Sequence, residues 1–194
     1  MTGEPGGAAA RSRTADARGC ARTAGGRRVS APANLLLLGE YAVLEAGGLG
    51  LAVAPDVRAV ATTTAGAPTV RGVMPGGEVV WPGDNGLLGG VADYLHGRFG
   101  PVPHTVEIDT SSFFRTDVRK RGFGSSASLA VALTALWGRF DGTPPDRDRV
   151  RRVATEAHRV AQGGRGSGYD VAVSALGGIV LFTGGADPQA RRVD

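Results

Sequence analysis

Hydrophobic and polar positions along the first half of the chain predict extended structure. Short apolar runs bounded by Gly and Pro cover residues 29–38 and 49–64, and each run predicts strand. Two further runs, at 69–74 and 78–81, flank a Pro-Gly-Gly turn and predict a hairpin. A short strand is expected at 104–109, with Val106 and Ile108 on one face.

Apolar positions in the second half recur at helical spacing. This period predicts helices at 87–99 and at 129–140, and a further helix that begins behind Pro144, Pro145 and Asp146 and stops at Gly163 and Gly164. A final short helix should end before Gly177 and Gly178, and a strand should follow at 179–182. Strands first and helices later, without visible repeats, predict an α+β fold.

Length and charge divide the chain into a tail and one domain. With 194 residues and 42% hydrophobic composition, the chain can build one well-buried core. Residues 1–28 hold six arginines and two acids, and so carry the whole net charge of +4. Because this segment lacks apolar content, we expect a disordered basic tail over 1–28 and a folded domain over 29–194. The tail has no interleaved aromatic residues, so we expect no nucleic-acid partner.

Cysteine content and hydropathy indicate the cellular compartment of the protein. Cys20 is the only cysteine, so neither an internal disulfide nor a thiolate metal cluster can form. The apolar run at 35–38 is ended at once by Gly39 and Glu40, and the tail lacks the apolar segment of a secretory signal. We therefore expect a cytoplasmic protein with no membrane partner.

The segment G-F-G-S-S-A-S at 122–128 opens directly into the apolar helical run and predicts an anion site. Glycines let the backbone approach a ligand closely, and the free N–H groups of a helix N-terminus favour phosphate. Lys120, just upstream, is the only lysine in the chain. Because the lysine precedes the glycines, the segment is not a Walker A loop. The alternative is a serine-capped helix that binds nothing.

A second glycine-rich segment, A-H-R-V-A-Q-G-G-R-G-S-G-Y-D-V at 157–171, delivers one carboxylate at a predicted helix start. Asp170 is suited to act as a base or to position a ligand, because a flexible backbone precedes it and a rigid helix follows. The alternative is that Asp170 is only a helix N-cap. We interpret His158 as a packing residue rather than an acid or base.

Three segments in order, S-A-P-A-N-L-L-L-L-G-E-Y-A-V-L-E at 30–45, the loop at 120–128 and the segment at 157–178, resemble the N-terminal half of the GHMP kinases. The resemblance implies that superfamily's N-terminal lobe, a mixed sheet with helices packed on one side, like domain 2 of ribosomal protein S5. It implies ATP and Mg²⁺ as cofactors and a small-molecule phosphoryl acceptor. Within the superfamily, the patterns K-x-G-x-G-S-S-A and A-H-x-x-A-Q-G-x-x-G-S-G-x-D-V most resemble phosphomevalonate kinases of the isoprenoid mevalonate pathway.

The resemblance also implies roles for individual residues. Asp170 matches the catalytic aspartate, and Ser126 is favoured over Ser125 as the metal-facing hydroxyl. The implied nucleotide-binding residues are Lys120, Gly122, Gly124, Ser125, Ser126 and Ala127. The implied acceptor-binding residues are Asn34, Glu40, Tyr41, Ser167 and Gly168. A carboxylate metal ligand stays unassigned, because the spacing from Glu156 to Asp170 does not match and Arg159 falls at the expected position.

Two departures from the family pattern leave alternatives open. Asn34 stands where mevalonate and phosphomevalonate kinases carry lysine and galactokinases carry arginine, so this position brings no charge. No segment resembles the superfamily's C-terminal lobe, so we expect a fragment, either a truncated gene product or half of a split kinase with its C-terminal lobe on a separate chain. The alternatives are a mevalonate- or sugar-type kinase, which the Glu40-Tyr41 pair also resembles, or a non-catalytic nucleotide-binding module.

Overall fold

The computed structural model describes residues 26–138 and 146–194 of the 194-residue chain. The strands of this part are β1 (Arg28–Pro32), β2 (Leu35–Leu38), β3 (Leu49–Val53), β4 (Arg58–Thr64), β5 (Thr69–Met74), β6 (Gly77–Trp81), β7 (Thr105–Asp109), β8 (Ile179–Thr183) and β9 (Gln189–Arg192). The helices are α1 (Leu87–Phe99), α2 (Ser125–Trp137), α3 (Arg147–Ala161) and α4 (Tyr169–Leu176), with short 3₁₀ turns at Ala42–Leu44 and Ser111–Phe113.

The strands form two sheets rather than one. A five-stranded sheet has the order β1-β4-β7-β5-β6, and a four-stranded antiparallel sheet has the order β2-β3-β8-β9. The larger sheet is mixed, as predicted, because β5 and β7 run parallel. Each long predicted run contributes one strand to each sheet. Pro32 and Pro55 stand where the two runs change sheets, and proline cannot donate the N–H that would continue a strand ladder.

Helix α2 is the centre of the core. It packs against β1 and β4 of the five-stranded sheet and contacts the other three helices. Side chains around its whole circumference are therefore buried, including Leu133 and Leu136 at 0% exposure. The predicted apolar stripe is in fact a helix buried on nearly all sides. The sheet face turned away from the helices carries charged residues such as Arg71 and Glu78, which form an ion pair.

The helix boundaries follow from local chemistry. Helix α1 ends at Gly100, whose positive φ of 78° suits glycine, and Pro101 follows. At the start of α3, the Asp146 carboxylate accepts the backbone N–H of Arg149 at 2.8 Å, an N-cap that stabilises the first turn. These helices and the β5–β6 hairpin lie where the hydrophobic pattern predicts them. Strand β9 was not predicted, because its sequence Q-A-R-R shows no apolar alternation.

Three residues of the predicted tail, 26–28, belong to the described structure. Arg27 pairs through its backbone with Thr63, so described structure begins before residue 29. Residues 1–25, which include most of the predicted tail and Cys20, lie outside the described residues. So do Phe140, Pro144 and Pro145 of the predicted helical segments.

Within the part that the structure describes, no helix combines the length and hydrophobicity that a membrane span requires.

The small sheet has one covered and one exposed face. Ala52 and Val180 face inward, and both are fully buried against α4. The opposite face is aliphatic and exposed, with Leu37 at 50% and Leu49 at 57%. Leu35, Val53 and Ile179 form one cross-strand row on this outer face. We call this surface the leucine face.

Candidate functional site

The backbone of the glycine-serine loop presents the N-terminus of α2. Gly124 is the N-cap residue with φ 68°, and Gly122 also has a positive φ of 79°. The first backbone hydrogen bond of the helix runs from the Ser128 N–H to the Gly124 carbonyl, so the N–H groups of residues 125–127 precede it. Because the cap is a glycine with no side-chain hydrogen bond, the alternative of a serine-capped helix is wrong.

Asn34 lies beneath this loop. Its side chain is 4% exposed, and its Nδ2 donates to the Gly124 carbonyl at 3.1 Å and to the Ser174 hydroxyl at 3.0 Å. Its backbone N–H donates to the Phe123 carbonyl at 3.1 Å. A Cβ at Gly124 would lie 2.2 Å from the Asn34 Oδ1, so only glycine fits there. Asn34, predicted as an acceptor-binding residue, is thus used inside the protein to tie the loop to α4.

A pocket of about 210 Å³ opens beside the loop, between α1, α2 and the five-stranded sheet. Its walls are largely apolar, and Lys120, Ser125 and Ser126 stand at one end. The Lys120 ammonium lies 6.0 Å from the centre of the Phe114 ring, on a segment where residues 114 and 120 form a β-bridge. The structure therefore brings together the predicted lysine and both loop serines. Ala127 is buried and can offer a ligand only its backbone.

Sequence reasoning missed the apolar part of this pocket. Its walls come from distant elements, including Met74, Leu88, Thr110, Phe114 and Leu129, which no local motif connects. It also missed a second opening of about 480 Å³, lined by Arg115, Thr116, Lys120, Arg121 and Phe123. The density of basic residues at 115–121 was visible in the sequence and could have indicated it. These cations create a positive potential next to the helix N-terminus.

Asp170 lies in the first turn of α4, after the second glycine-rich segment. The N-cap of this helix is Gly168, with φ 84°, so the alternative that Asp170 is the N-cap is wrong. The Asp170 carboxylate accepts the Val171 N–H through Oδ1 at 2.8 Å, and its side chain keeps 25% of its surface exposed. His158 of α3 lies behind it, with Nδ1 3.9 Å from the Asp170 Oδ2.

His158 is buried as predicted, at 3% exposure. Burial lowers the pKa of His158 below its ordinary value of 6.5, and the Asp170 charge opposes that shift. The imidazole is therefore neutral at neutral pH. Its other nitrogen, Nε2, is buried without a hydrogen-bond partner among the described residues.

The remaining predicted acceptor residues lie around Tyr169. Glu40 and Tyr169 line a depression of about 480 Å³ together with the leucines of β2. Burial raises the pKa of Tyr169, and the carboxylates of Asp170 and Glu40 raise it further. Tyr41 is 79% exposed and does not line this depression.

The loop before α4 is fixed by internal contacts. The Ser167 carbonyl accepts a hydrogen bond from the Arg159 Nη2 at 3.2 Å, and its hydroxyl accepts the Tyr169 N–H at 3.4 Å. Gly168 is buried, and a Cβ there would lie 3.1 Å from the Thr155 Cγ2. Ser167 and Gly168 therefore hold Asp170 in place through the backbone.

The described residues contain no group of three or more His, Cys, Asp or Glu side chains that could hold a metal ion. Glu156 is already engaged, since its carboxylate accepts a hydrogen bond from Tyr94 and pairs with Arg98. Mg²⁺ commonly takes one or two protein ligands and fills the other positions with phosphate oxygens and water. The Ser126 hydroxyl at the pocket edge fits that mode of binding.

Known kinases are similar to this chain in sequence. Residues 86–178 match the model of the GHMP kinases N terminal domain. The chain is 29% identical over 164 residues to phosphomevalonate kinase of Saccharolobus solfataricus, a match that covers 79% of this chain and 48% of that protein. It is 25% identical over 174 residues to mevalonate kinase of Aeropyrum pernix, covering 83% of this chain and 52% of that protein.

A solved structure shows the same fold. Streptococcus pneumoniae phosphomevalonate kinase in complex with phosphomevalonate and AMPPNP superposes with a TM-score of 0.65 and 23% identity, over 81% of this chain and 49% of that one. Residues 86–178 are therefore similar to the GHMP kinases N terminal domain, and the chain shares the fold of this solved structure. It spans about half the length of the curated relatives it matches.

Proposed function

We propose that this chain is the nucleotide-binding part of an ATP-dependent small-molecule kinase of the phosphomevalonate kinase type. One observation carries the proposal: the Asn34 amide donates one hydrogen bond to the glycine-serine loop and one to α4, the helix that carries Asp170. A phosphate site and a partly exposed carboxylate are thereby held in one fixed arrangement. Phosphoryl transfer depends mainly on such positioning and on charge neutralisation.

The nucleotide occupies the pocket and the loop. The apolar walls suit a nucleoside, and the α2 N-terminus, the two loop hydroxyls and Lys120 suit its phosphates. The Gly122 and Gly124 backbone allows the phosphates to approach closely. The basic opening around Arg115 and Arg121 adds long-range attraction for a polyanion.

The Ser126 hydroxyl would hold a Mg²⁺ ion together with the nucleotide phosphates. A bound Mg²⁺ neutralises charge that develops on the phosphate oxygens. Asp170 orients the acceptor oxygen and, where that oxygen belongs to a hydroxyl, accepts its proton as transfer proceeds. The open side of its carboxylate faces solvent, which leaves room for that contact.

The acceptor lies on the Glu40 and Tyr169 side of Asp170. Phosphomevalonate is the first candidate, because both phosphate-loop and aspartate segments resemble phosphomevalonate kinases and a protein of that name is among the relatives. A mevalonate or sugar acceptor is the alternative within the same chemistry, given the similarity to mevalonate kinase. We place Tyr41 at the edge of this side only, since its ring is exposed.

A second half completes the cleft in this proposal, either as a C-terminal lobe on a separate chain or as further sequence. The leucine face supports the presence of a second protein surface that covers it, because exposed aliphatic patches of this kind mark interaction sites. A non-catalytic nucleotide-binding module is the second candidate. The buried and uncharged Asn34 favours it, since that position contributes no cation to the transition state.

The test measures ADP release from Mg·ATP with phosphomevalonate, mevalonate or galactose, using the chain alone and with a C-terminal lobe of a relative added in trans. We expect turnover with phosphomevalonate that Asp170→Asn abolishes while ATP affinity stays within about twofold.

Lys120→Ala should weaken ATP binding by roughly 1–3 kcal/mol. Arg119→Ala is its matched control, because the Arg119 guanidinium is already paired with Asp117. ATP binding without turnover on any acceptor would establish the module instead.

A further inference from the structure

A buried histidine stands directly behind the proposed catalytic carboxylate. His158 lies near the C-terminal end of α3, and the following glycine-rich loop folds back so that Asp170 of α4 covers its imidazole. Nδ1 of His158 lies 3.9 Å from Oδ2 of Asp170. The other ring nitrogen is enclosed and lacks a hydrogen-bond partner within residues 26–138 and 146–194.

This geometry decides which nitrogen carries the single proton of the neutral ring. A proton on Nε2 would bury an N–H without an acceptor and would turn the Nδ1 lone pair toward a carboxylate. A proton on Nδ1 points an N–H at Oδ2 and leaves only a lone pair unpaired. The Nδ1–H tautomer is therefore the favoured one, and a small rotation of either side chain closes the 3.9 Å gap to a hydrogen bond.

The surroundings of His158 offer Asp170 as its electrostatic partner. Helix α2 carries no charged residue over Ser125–Trp137. On α1, the charged and polar groups are engaged elsewhere, with Asp93 accepting from Trp81 and Arg98 and Tyr94 contacting Glu156. On α3 itself, Arg159 donates to the Ser167 carbonyl.

We infer that His158 is a positioning residue that holds the Asp170 carboxylate for its role in phosphoryl transfer, an inference that rests on the proposed function. The Val171 N–H donates to Oδ1 at 2.8 Å, and a small side-chain rotation brings the His158 Nδ1–H, 3.9 Å away in the structure, into hydrogen-bond range of Oδ2. With both oxygens restrained, the side chain cannot rotate away from the acceptor. The remaining lone pairs on its exposed edge stay free for the acceptor hydroxyl or phosphate.

The first test is independent of catalysis. Nitrogen-15 and carbon-13 spectra of the His158 ring in the full chain should show the Nδ1–H tautomer at pH 7.5. Replacing Asp170→Asn should lower the pKa of His158 further, because the carboxylate charge is what raises it. The ring signals of His96 and His104 serve as internal controls. A ring protonated on Nε2, or a His158 titration unchanged by Asp170→Asn, overturns the inference whether or not the protein is a kinase.

The second test uses two substitutions of His158 in the turnover assay with phosphomevalonate and the added lobe. His158→Asn keeps an N–H near the Nδ1 position, whereas His158→Leu fills the volume without a donor. We expect His158→Leu to lower kcat at least tenfold with the KM for ATP unchanged, and His158→Asn to recover a large part of the loss. Equal kcat in both variants and wild type overturns the inference. If the protein binds ATP but has no turnover, the proposed kinase function fails while the tautomer measurement still decides the His158–Asp170 contact.

Discussion

At the scale of single residues, Asn34 illustrates how one buried polar side chain can set a site. A buried amide must satisfy its donors, and both are used, on the Gly124 carbonyl and the Ser174 hydroxyl. The two partners lie 90 and 140 residues away along the chain. The residue therefore links two motifs that the sequence separates, and it does so from a place that a ligand cannot reach.

Asn34→Asp tests this link, because it keeps the shape of the side chain and removes its donors. The introduced carboxylate would face the Gly124 carbonyl, which can only accept, in a buried place, and we expect a loss of at least about 1–3 kcal/mol in the free energy of unfolding at pH 7. Burial raises the pKa of that carboxyl, so part of the stability should return as the pH falls toward 5. Urea unfolding at both pH values measures this. Ser174→Ala, which removes one partner only, should cost less at pH 7 and show no recovery.

His158 makes stability depend on pH in a direction that follows from its burial. The pKa of His158 is lower in the folded chain than its ordinary 6.5, so the unfolded chain binds more protons between those two values. The free energy of unfolding should therefore fall as the pH drops below 6.5 and level off below the folded pKa. His158→Gln should remove this part of the slope in unfolding curves from pH 7.5 to 5. A wild-type profile that matches the variant would contradict the assignment of a neutral buried ring.

At the scale of elements, the loop into α2 separates two kinds of glycine. Gly122 and Gly124 both have positive φ, but a Cβ on Gly122 meets nothing within 4 Å, whereas one on Gly124 meets the Asn34 amide. The first glycine supplies only a backbone conformation. The second supplies both the conformation and the space for the side chain beneath it.

Alanine substitutions at these two positions form a matched pair. Gly122→Ala should cost about 1–2 kcal/mol of stability, the strain of a left-handed alanine. Gly124→Ala carries the same strain and should cost roughly 1–3 kcal/mol more, because the methyl group displaces the Asn34 amide. Chemical denaturation of the two variants gives the difference directly. Equal losses would show that the loop can move away from Asn34.

The hydrophobic pattern predicts the elements of this chain well, but not how they assemble. Periodicity locates α1 and α3, and glycine-serine chemistry locates the start of α2, because these signals are local. The partition of strands into two sheets depends on which strand pairs with which, and Pro32 marks a change within the run at 29–38 without indicating the partner of either part. Strand β9 has no apolar alternation, and only its pairing with β8 makes it a strand.

The site shows the same division between local and distant signals. Lys120, Ser125 and Asp170 stand out in sequence because each belongs to a compact motif. The apolar pocket and the burial of Asn34 do not, because they arise where distant segments meet. His158 could be recognised as buried, yet its position behind Asp170 depends on the fold of the loop at 162–168.

At the scale of the whole molecule, the leucine face is the surface that the domain leaves uncovered. Its side chains extend across three strands of the small sheet, and the same sheet forms the wall that bears Glu40. Exposed aliphatic rows of this length lower solubility unless another surface covers them. An uncovered apolar face agrees with the finding that the chain spans about half of the length of its relatives.

The double substitution Leu37→Lys and Leu49→Lys tests whether this face is accessible. Binding of a hydrophobic fluorescent dye to the chain should fall by about half or more, because both side chains belong to one apolar patch. Stability in urea should change little, since both positions are exposed. Val160→Lys is the control, as Val160 is 60% exposed on α3 and isolated from the face. Dye binding that is unchanged in the double variant would mean that the face is covered in solution, and an equal fall in the control would mean that the loss is not specific to the face.

The most direct test of the central claim follows backbone amide signals while Mg·AMPPNP is added to the full chain. The account predicts saturable binding, with the largest shifts at the amides of residues 122–127 and smaller shifts for residues lining the apolar pocket, such as Thr110 and Leu129. Gly124→Ala should abolish these shifts in a protein that remains folded. A folded wild type that does not bind the nucleotide, or shifts confined to regions outside this loop and pocket, would contradict the account.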